Sequence, residues 1–165
     1  MNFEQAHKDI TNWVVNFVEV AHPALNNWPP CPYARRARLD GRLDIRPGET
    51  DPYTDCRAVL MGNFDVIAYV YDPADITADA FNSQISALNR GFLVPRSLLA
   101  LADHPDYPEQ ILGVTMNQGN WAICFIQNLD KLNDHARMLA RQGYYHNWPE
   151  EYLSELFEQR EDPRL

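Results

Sequence analysis

Residues 22–46, HPALNNWPPCPYARRARLDGRLDIR, constrain this chain more than any other stretch. Pro23, Pro29, Pro30 and Pro32 crowd its first half. Each proline fixes φ, removes a backbone donor and pushes the preceding residue toward extended geometry. The segment therefore reads as a stiff, mostly extended connector that places Cys31 at a turn and delivers Arg35, Arg36 and Arg38 ahead of a strand. A chain that only joined a helix to a strand could do so in a few residues. The connector's length marks it as the place to look for function.

On its N-terminal side, Phe3, Ala6, Ile10, Trp13, Val14 and Phe17 recur at three- and four-residue steps, and Asn2 with Gln5 forms a capping box. This predicts a helix that stops near His22. On its other side, Leu39, Gly41, Leu43 and Ile45 alternate with Asp40, Arg42, Asp44 and Arg46, a half-buried strand. Asp51-Pro52 opens a helix carrying Tyr53, Cys56 and Leu60, and Gly62 closes it. Val66 to Tyr71 is apolar on both faces, as a central strand requires. Thr77 caps a helix stopped by Gly91, and a short helix is expected from Pro95 to about Asp103. Ile111–Met116 and Trp121–Gln127, flanking Asn117 to Asn120, read as a β-hairpin. Asp130 caps a helix ended by Gly143, and Trp148-Pro149 starts the last one.

The expected organisation is a single domain over 1–165: an N-terminal helix (1–22), the Pro/Arg-rich loop (23–38), a sheet core with helices (39–127) and C-terminal helices (130–160). At 165 residues a chain can bury a real core without metal or disulfide support. The class is α+β, a mixed sheet of about four strands packed with helices. From Leu39 onward the order is thioredoxin-like, βαβαββα, with a ferredoxin-like order as the alternative.

Charge and cysteine content narrow the function classes. A net charge of −9 and a pI near 4.9 exclude a basic nucleic-acid face or an anionic-membrane surface as the main partner. No apolar run approaches the ~20 residues of a membrane span, and Glu4 and Asp9 interrupt any leader-like start. Cys31, Cys56 and Cys124 are odd in number and lack CxxC or CxxH spacing, the pattern of a reducing compartment, so the protein is expected in the cytosol. Cys56 and Cys124 fall on core faces and are expected to be inert.

Three constellations remain. Cys31 is a candidate nucleophile, because nearby guanidinium groups favour a thiolate; equally, it is a small residue pinning a turn to the core. Arg35, Arg36 and Arg38, with Arg42 and Arg46, outnumber Asp40 and Asp44 locally, and guanidinium groups suit carboxylate or phosphate. They would hold a small anionic molecule or an acidic protein segment, unless they are solvated surface pairs. Trp28 and Tyr33 would line such a site. His22, His104, His135 and His146, with Glu150 or Glu151, Asp103 or Asp106 as carboxylates, could form a metal site, although no recognised ligand spacing is present. A structural role is the simpler reading of each histidine. No cofactor can be read from the sequence, and it has no phosphate loop, nucleophile elbow or HExxH helix.

CPYA at Cys31 to Ala34 is similar to the CPYC of glutaredoxins over four letters. It lacks the resolving cysteine and precedes the first strand, so that activity is not carried over. Trp13, Asn27, Cys31, Pro32 and Ala34, with Tyr33 at the aromatic position, resemble an uncharacterised bacterial family that opens with a tryptophan-bearing amphipathic helix and an N-x-C-P-F-A turn. Trp28-Pro29-Pro30 lengthens the gap from Asn27 to the cysteine. The resemblance covers about the first quarter of the chain and implies that Cys31 matters, without supplying a reaction.

The leading expectation is a small enzyme with Cys31 as the reactive thiol, Arg35, Arg36 and Arg38 holding the anion, and His22 or His146 moving a proton. The reaction would be thiol redox or group transfer. The alternatives are a metal-dependent enzyme and a non-catalytic partner-binding module.

Overall fold

The structure is a computed structural model, and it describes residues 1–160. Its first helix, α1 (Phe3–Trp13), is capped by Asn2, whose side chain accepts the Gln5 amide. It runs on as one π-helical turn, Val14–Val18. Ala6, Ile10, Val14 and Val18 lie buried along one side at four-residue steps, so the amphipathic stripe sets which face meets the sheet. The helix ends before His22, as the prolines demand.

The proline segment is less extended than its composition suggests. Pro23–Leu25 forms a 3-10 turn, and Ala34–Leu39 forms a short helix, α2, where connector and strand were expected. Nothing after Pro32 forbids a helix, and the run Ala-Arg-Arg-Ala-Arg-Leu is made of strong helix formers. Gly41 (φ 65°) ends it in a Schellman arrangement: its N–H donates to Arg38 C=O, and that of Arg42 to Ala37 C=O. Strand β1 therefore begins at Leu43 and ends at Pro47, and Leu39 is left exposed.

Next come α3 (Pro52–Arg57), β2 (Val66–Tyr71) and α4 (Ala78–Leu88). Asp51 and Thr77 cap the two helices as expected, accepting from Thr54 N–H and Ala80 N–H. Helix α3 closes at Arg57, which leaves Leu60 in solvent and not on a core face. Helix α4 is not stopped by Gly91; it passes through it as a π-helical turn, Asn89–Leu93.

The larger departures follow. Pro95 lies in a 3-10 turn, Ser97 takes a left-handed φ of 56°, and Leu98–Asp103 is strand β3 where a helix was expected. A short apolar run has no period that separates a buried strand from a buried helix. Residues 111–127 do not form one hairpin. Gln110–Ile111 (β4) and Val114–Thr115 (β5) make their own small ribbon, turning at Leu112 and Gly113, which both have positive φ. Ala122–Asn128 (β6) pairs with β2 and β3. Helix α5 (Leu129–Arg141) is capped by Asn128, two residues before the expected Asp130, and α6 spans Glu150–Gln159.

The result is a four-stranded mixed sheet in the order β1-β2-β6-β3, packed with six helices, a single-domain α+β fold. β1 and β2 are parallel and the other pairs antiparallel. On one face Ile67, Tyr69 and Tyr71 join Ala122, Cys124, Ile126 and Ala100 under Phe81, Ile85 and Leu88 of α4. On the other, Ala68, Val70 and Ile123 meet the α1 stripe. β2 is apolar on both sides because both sides are covered. A third cluster, Leu25 with Ile111 and Val114 and with Trp148 and Tyr152 packed against it, ties the proline loop to the ribbon and α6.

Candidate functional site

The proline loop is held from several directions, and each hold follows from a local feature. Asn26 and Asn27 both take left-handed φ (56° and 61°), a conformation asparagine tolerates. The turn they form lets His22 N–H reach Trp28 C=O at 3.0 Å. Leu25 is fully buried beneath it. The Asn26 amide donates to the carbonyl of His146 at 2.6 Å, and the hydroxyl of Tyr144 donates to that of Pro30. Cys31 N–H donates to Val18 C=O at 3.1 Å, fixing the cysteine on the end of the π-helical turn.

Cys31 is the exposed cysteine. Its residue presents surface to solvent, yet protein crowds its sulfur, so its anion is poorly hydrated. Burial therefore pushes its pKa above the ordinary thiol value, and Glu19 adds to this. The backbone N–H groups of Tyr33 and Ala34, at the start of α2, and the charge of Arg160 pull the other way without overcoming it. At neutral pH the resting group is a thiol. Cys56 and Cys124 are wholly buried, with their sulfurs 3.4 Å apart, as the core reading of both requires.

The arginines expected around Cys31 have other engagements. Arg38 grips Glu19 with two bonds, of 2.6 and 2.9 Å. Arg36 is 85% exposed and reaches only Asp40, one turn on, at 3.4 Å. Arg35 is exposed. The charged groups acting on the thiol are Arg160 and Glu19. Arg160 carried no signal in the sequence, because it follows the last helix in the charged run Glu-Gln-Arg-Glu-Asp and reads as a solvated end.

Folding brings Arg160 inside. It is 6% exposed and lies with its guanidinium 5.8 Å from the centre of the Phe157 ring. Phe157 meets Tyr145 edge-on at 5.6 Å, and Tyr145 meets Tyr144 and Trp148 at 4.8 and 5.1 Å. Trp28 packs on Tyr144 at 5.8 Å. Loop aromatics that could have been separate anchors thus form one cluster from the Cys31 loop to Arg160. Arg160 bonds to Tyr145, whereas its Nε and Nη1 lie buried without a hydrogen-bond partner among the described residues. Burial lowers its pKa, yet a guanidinium keeps its charge.

The histidines do not converge. His22 Nδ1 accepts the Ala24 amide at the base of the loop. His104 is buried; its Nδ1 accepts from Asp106 N–H, which leaves Nε2 to donate to Ile76 C=O at 3.0 Å. His135 stacks flat on Tyr33, ring centres 3.7 Å apart, and its pKa is lowered chiefly by burial. His146 and Glu150 are exposed on the surface. Asp103 accepts from Asn117 and Gln118, organising the loop that leads into the ribbon. Among the described residues no group of three His, Cys, Asp or Glu could hold a metal ion. The metal set suggested by composition is therefore dispersed: each histidine has a local structural partner or faces solvent.

Fold and site together describe an α+β domain with an exposed cysteine, held as a thiol, near a buried arginine two of whose nitrogens lack acceptors among the described residues. Compared with known proteins, the chain matches no family model, no curated protein and no solved structure. Among the described residues no helix is long and apolar enough to cross a membrane.

Proposed function

We propose that the protein is a small enzyme in which Cys31 forms a covalent bond to a small anionic substrate, with Arg160 in the anion-holding role first given to Arg35, Arg36 and Arg38. The observation that carries this reading is Arg160 itself, a buried cation with unfilled donors acting on the one exposed thiol. Charge-assisted donors of this kind are strong and direct an oxyanion to one place. Group transfer fits better than an internal dithiol cycle, because Cys56 and Cys124 face each other in the core and leave Cys31 no resolving partner.

In this scheme the Cys31 proton leaves to solvent through His22 or His146, and the thiolate attacks the electrophilic carbon or phosphorus of the substrate. A sulfur–substrate bond forms, the leaving group departs with the bonding pair, and water or a second acceptor releases the transferred group. The Tyr33 and Ala34 amides steady the sulfur while it is charged. Three free thiols suit a reducing cytosol. The test is alkylation of each cysteine in the native protein against pH, read by mass spectrometry. Cys31 alone should react, with a rate that still rises above the ~8.5 of a free thiol. Equal inertness of all three thiols under these conditions would remove the proposal.

The exposure of Arg35 and Arg36 supports a second reading, the docking of an acidic protein segment. It would show as a partner retained on purification and lost in an Arg35/Arg36 double alanine.

A further inference from the structure

Arg160 stands apart from the arginines that form ion pairs. Arg38, Arg46 and Arg36 each meet a carboxylate. Arg160 is more deeply buried than any of them, yet its Nε and Nη1 have no acceptor among the described residues. A second donor nearby shares this condition: Trp148 Nε1 is buried and unpartnered. Both side chains adjoin Tyr145, Trp148 through ring contact at 5.1 Å and Arg160 through a hydrogen bond. The carboxylate of Glu109 is taken by the Tyr152 hydroxyl. Among the described residues the cluster therefore holds two side chains with unfilled donors, one of them permanently charged.

Buried polar groups are ordinarily satisfied, and a buried charge is ordinarily paired. A partner that fills these donors is negative and offers lone pairs in more than one direction, since Nε and Nη1 lie on different edges of the guanidinium. The Cys31 sulfur does not meet this need at neutral pH, where it carries its proton. A carboxylate or phosphate group, with several acceptor oxygens, does.

We propose that Arg160, assisted by the Trp148 indole N–H beside Tyr145, is a binding site for a small oxyanion, and that this site is the anion-holding half of the Cys31 site. The second clause rests on the reading of Cys31 given above; the first stands without it.

The experiment uses the full chain carrying Cys31→Ser, so that binding is read without thiol chemistry. It is titrated with inorganic phosphate and, separately, with acetate at constant ionic strength set by chloride. NMR follows the arginine Nε–H and tryptophan indole N–H signals. Saturable shifts of the Arg160 and Trp148 signals are expected with at least one ion, and the arm that saturates at lower concentration names the head group. Arg160→Gln should weaken binding at least tenfold and Trp148→Phe by less. Should Arg160→Gln not fold, protection of the unaltered protein against thermal unfolding by phosphate over chloride gives the same readout. No saturable shift with either ion, or equal shifts with chloride, overturns the site. In the unaltered protein, saturating ion should slow Cys31 alkylation several-fold; unchanged alkylation would separate the oxyanion site from Cys31. Anion binding without any Cys31 reactivity would retire the enzyme reading and leave this site standing.

Discussion

Replacing Asn89 with alanine tests how the sheet is finished at its β3 edge. Asn89 begins the π-helical turn after α4, and its side-chain amide faces the backbone of Ala100 in β3. Its Nδ2 donates to Ala100 C=O and its Oδ1 accepts Ala100 N–H, each at 2.8 Å. The side chain thus acts as one residue of a further strand. Asn89 is 8% and Ala100 1% exposed, so water has no ready access to replace it. Two bonds of ~1 kcal/mol net each are lost, and two buried backbone groups are orphaned at ~1–3 kcal/mol each. These overlap, so the expected loss is about 2–5 kcal/mol, a large share of a total stability of ~5–15 kcal/mol. For a chain of this size each kcal/mol moves Tm by ~2–4 °C, so urea and thermal unfolding both resolve the effect. Asn89→Asp sharpens the test. The introduced carboxylate can accept from Ala100 N–H but, ionised, cannot donate to Ala100 C=O. Burial and the facing carbonyl raise its folded pKa above its unfolded value. Its favourable contribution is therefore complete below ~4 and lost as pH rises through the folded pKa. The penalty relative to the unaltered protein must shrink as pH falls. A loss below about 1 kcal/mol in the alanine variant, together with a pH-independent penalty in the aspartate variant, would refute the strand-mimic account.

Gly48→Ala should cost about 1–3 kcal/mol by overpacking, because a Cβ there would sit 2.0 Å from Cε1 of Tyr71, whose hydroxyl is tied to Asp55 at 3.0 Å; an unchanged melting temperature would contradict this. Alkaline stability should fall early. Burial holds Cys31, Tyr71, Tyr144, Tyr145 and Tyr152 above their ordinary ranges, and the bond to Cys56 together with burial does the same for Cys124. The unfolded chain gives up these protons first, so stability is complete below ~8.5 and declines as pH rises through ~10; a flat urea midpoint from pH 8 to 11 would count against it. Arg36→Ala should leave both Cys31 alkylation and stability within ~0.5 kcal/mol of the parent, since that side chain is 85% exposed; a slowed Cys31 would return the anion role to the α2 arginines.

Much of the helical frame could be read locally. Asn2, Asp51 and Thr77 act as caps within three residues of the N–H they accept, and the α1 stripe is written in four-residue steps. The double-sided apolar run of β2 implied a central position, and the sheet places it between β1 and β6. These features depend on neighbours in sequence, and propensity and periodicity report on them directly. The site was half legible: the prolines led to Cys31, and composition could only collect arginines by their closeness in the chain.

What escaped the sequence depends on distance in space. Leu98–Asp103 is a strand because β6 offers a free edge and Asn89 closes the far side, neither of which its own residues encode. Ile111 and Val114 turn back on each other because Leu25 and α6 cover them. Arg160 looks like any charged tail residue until α6 packs its aromatics onto the Cys31 loop and takes the guanidinium out of water. Chain-local chemistry settles caps, turns and stripes, since their partners lie a few residues away. Which strand fills an edge and which charge meets the thiol are settled only when distant surfaces close, because burial, and with it the strength of every charge, is a property of the packed whole.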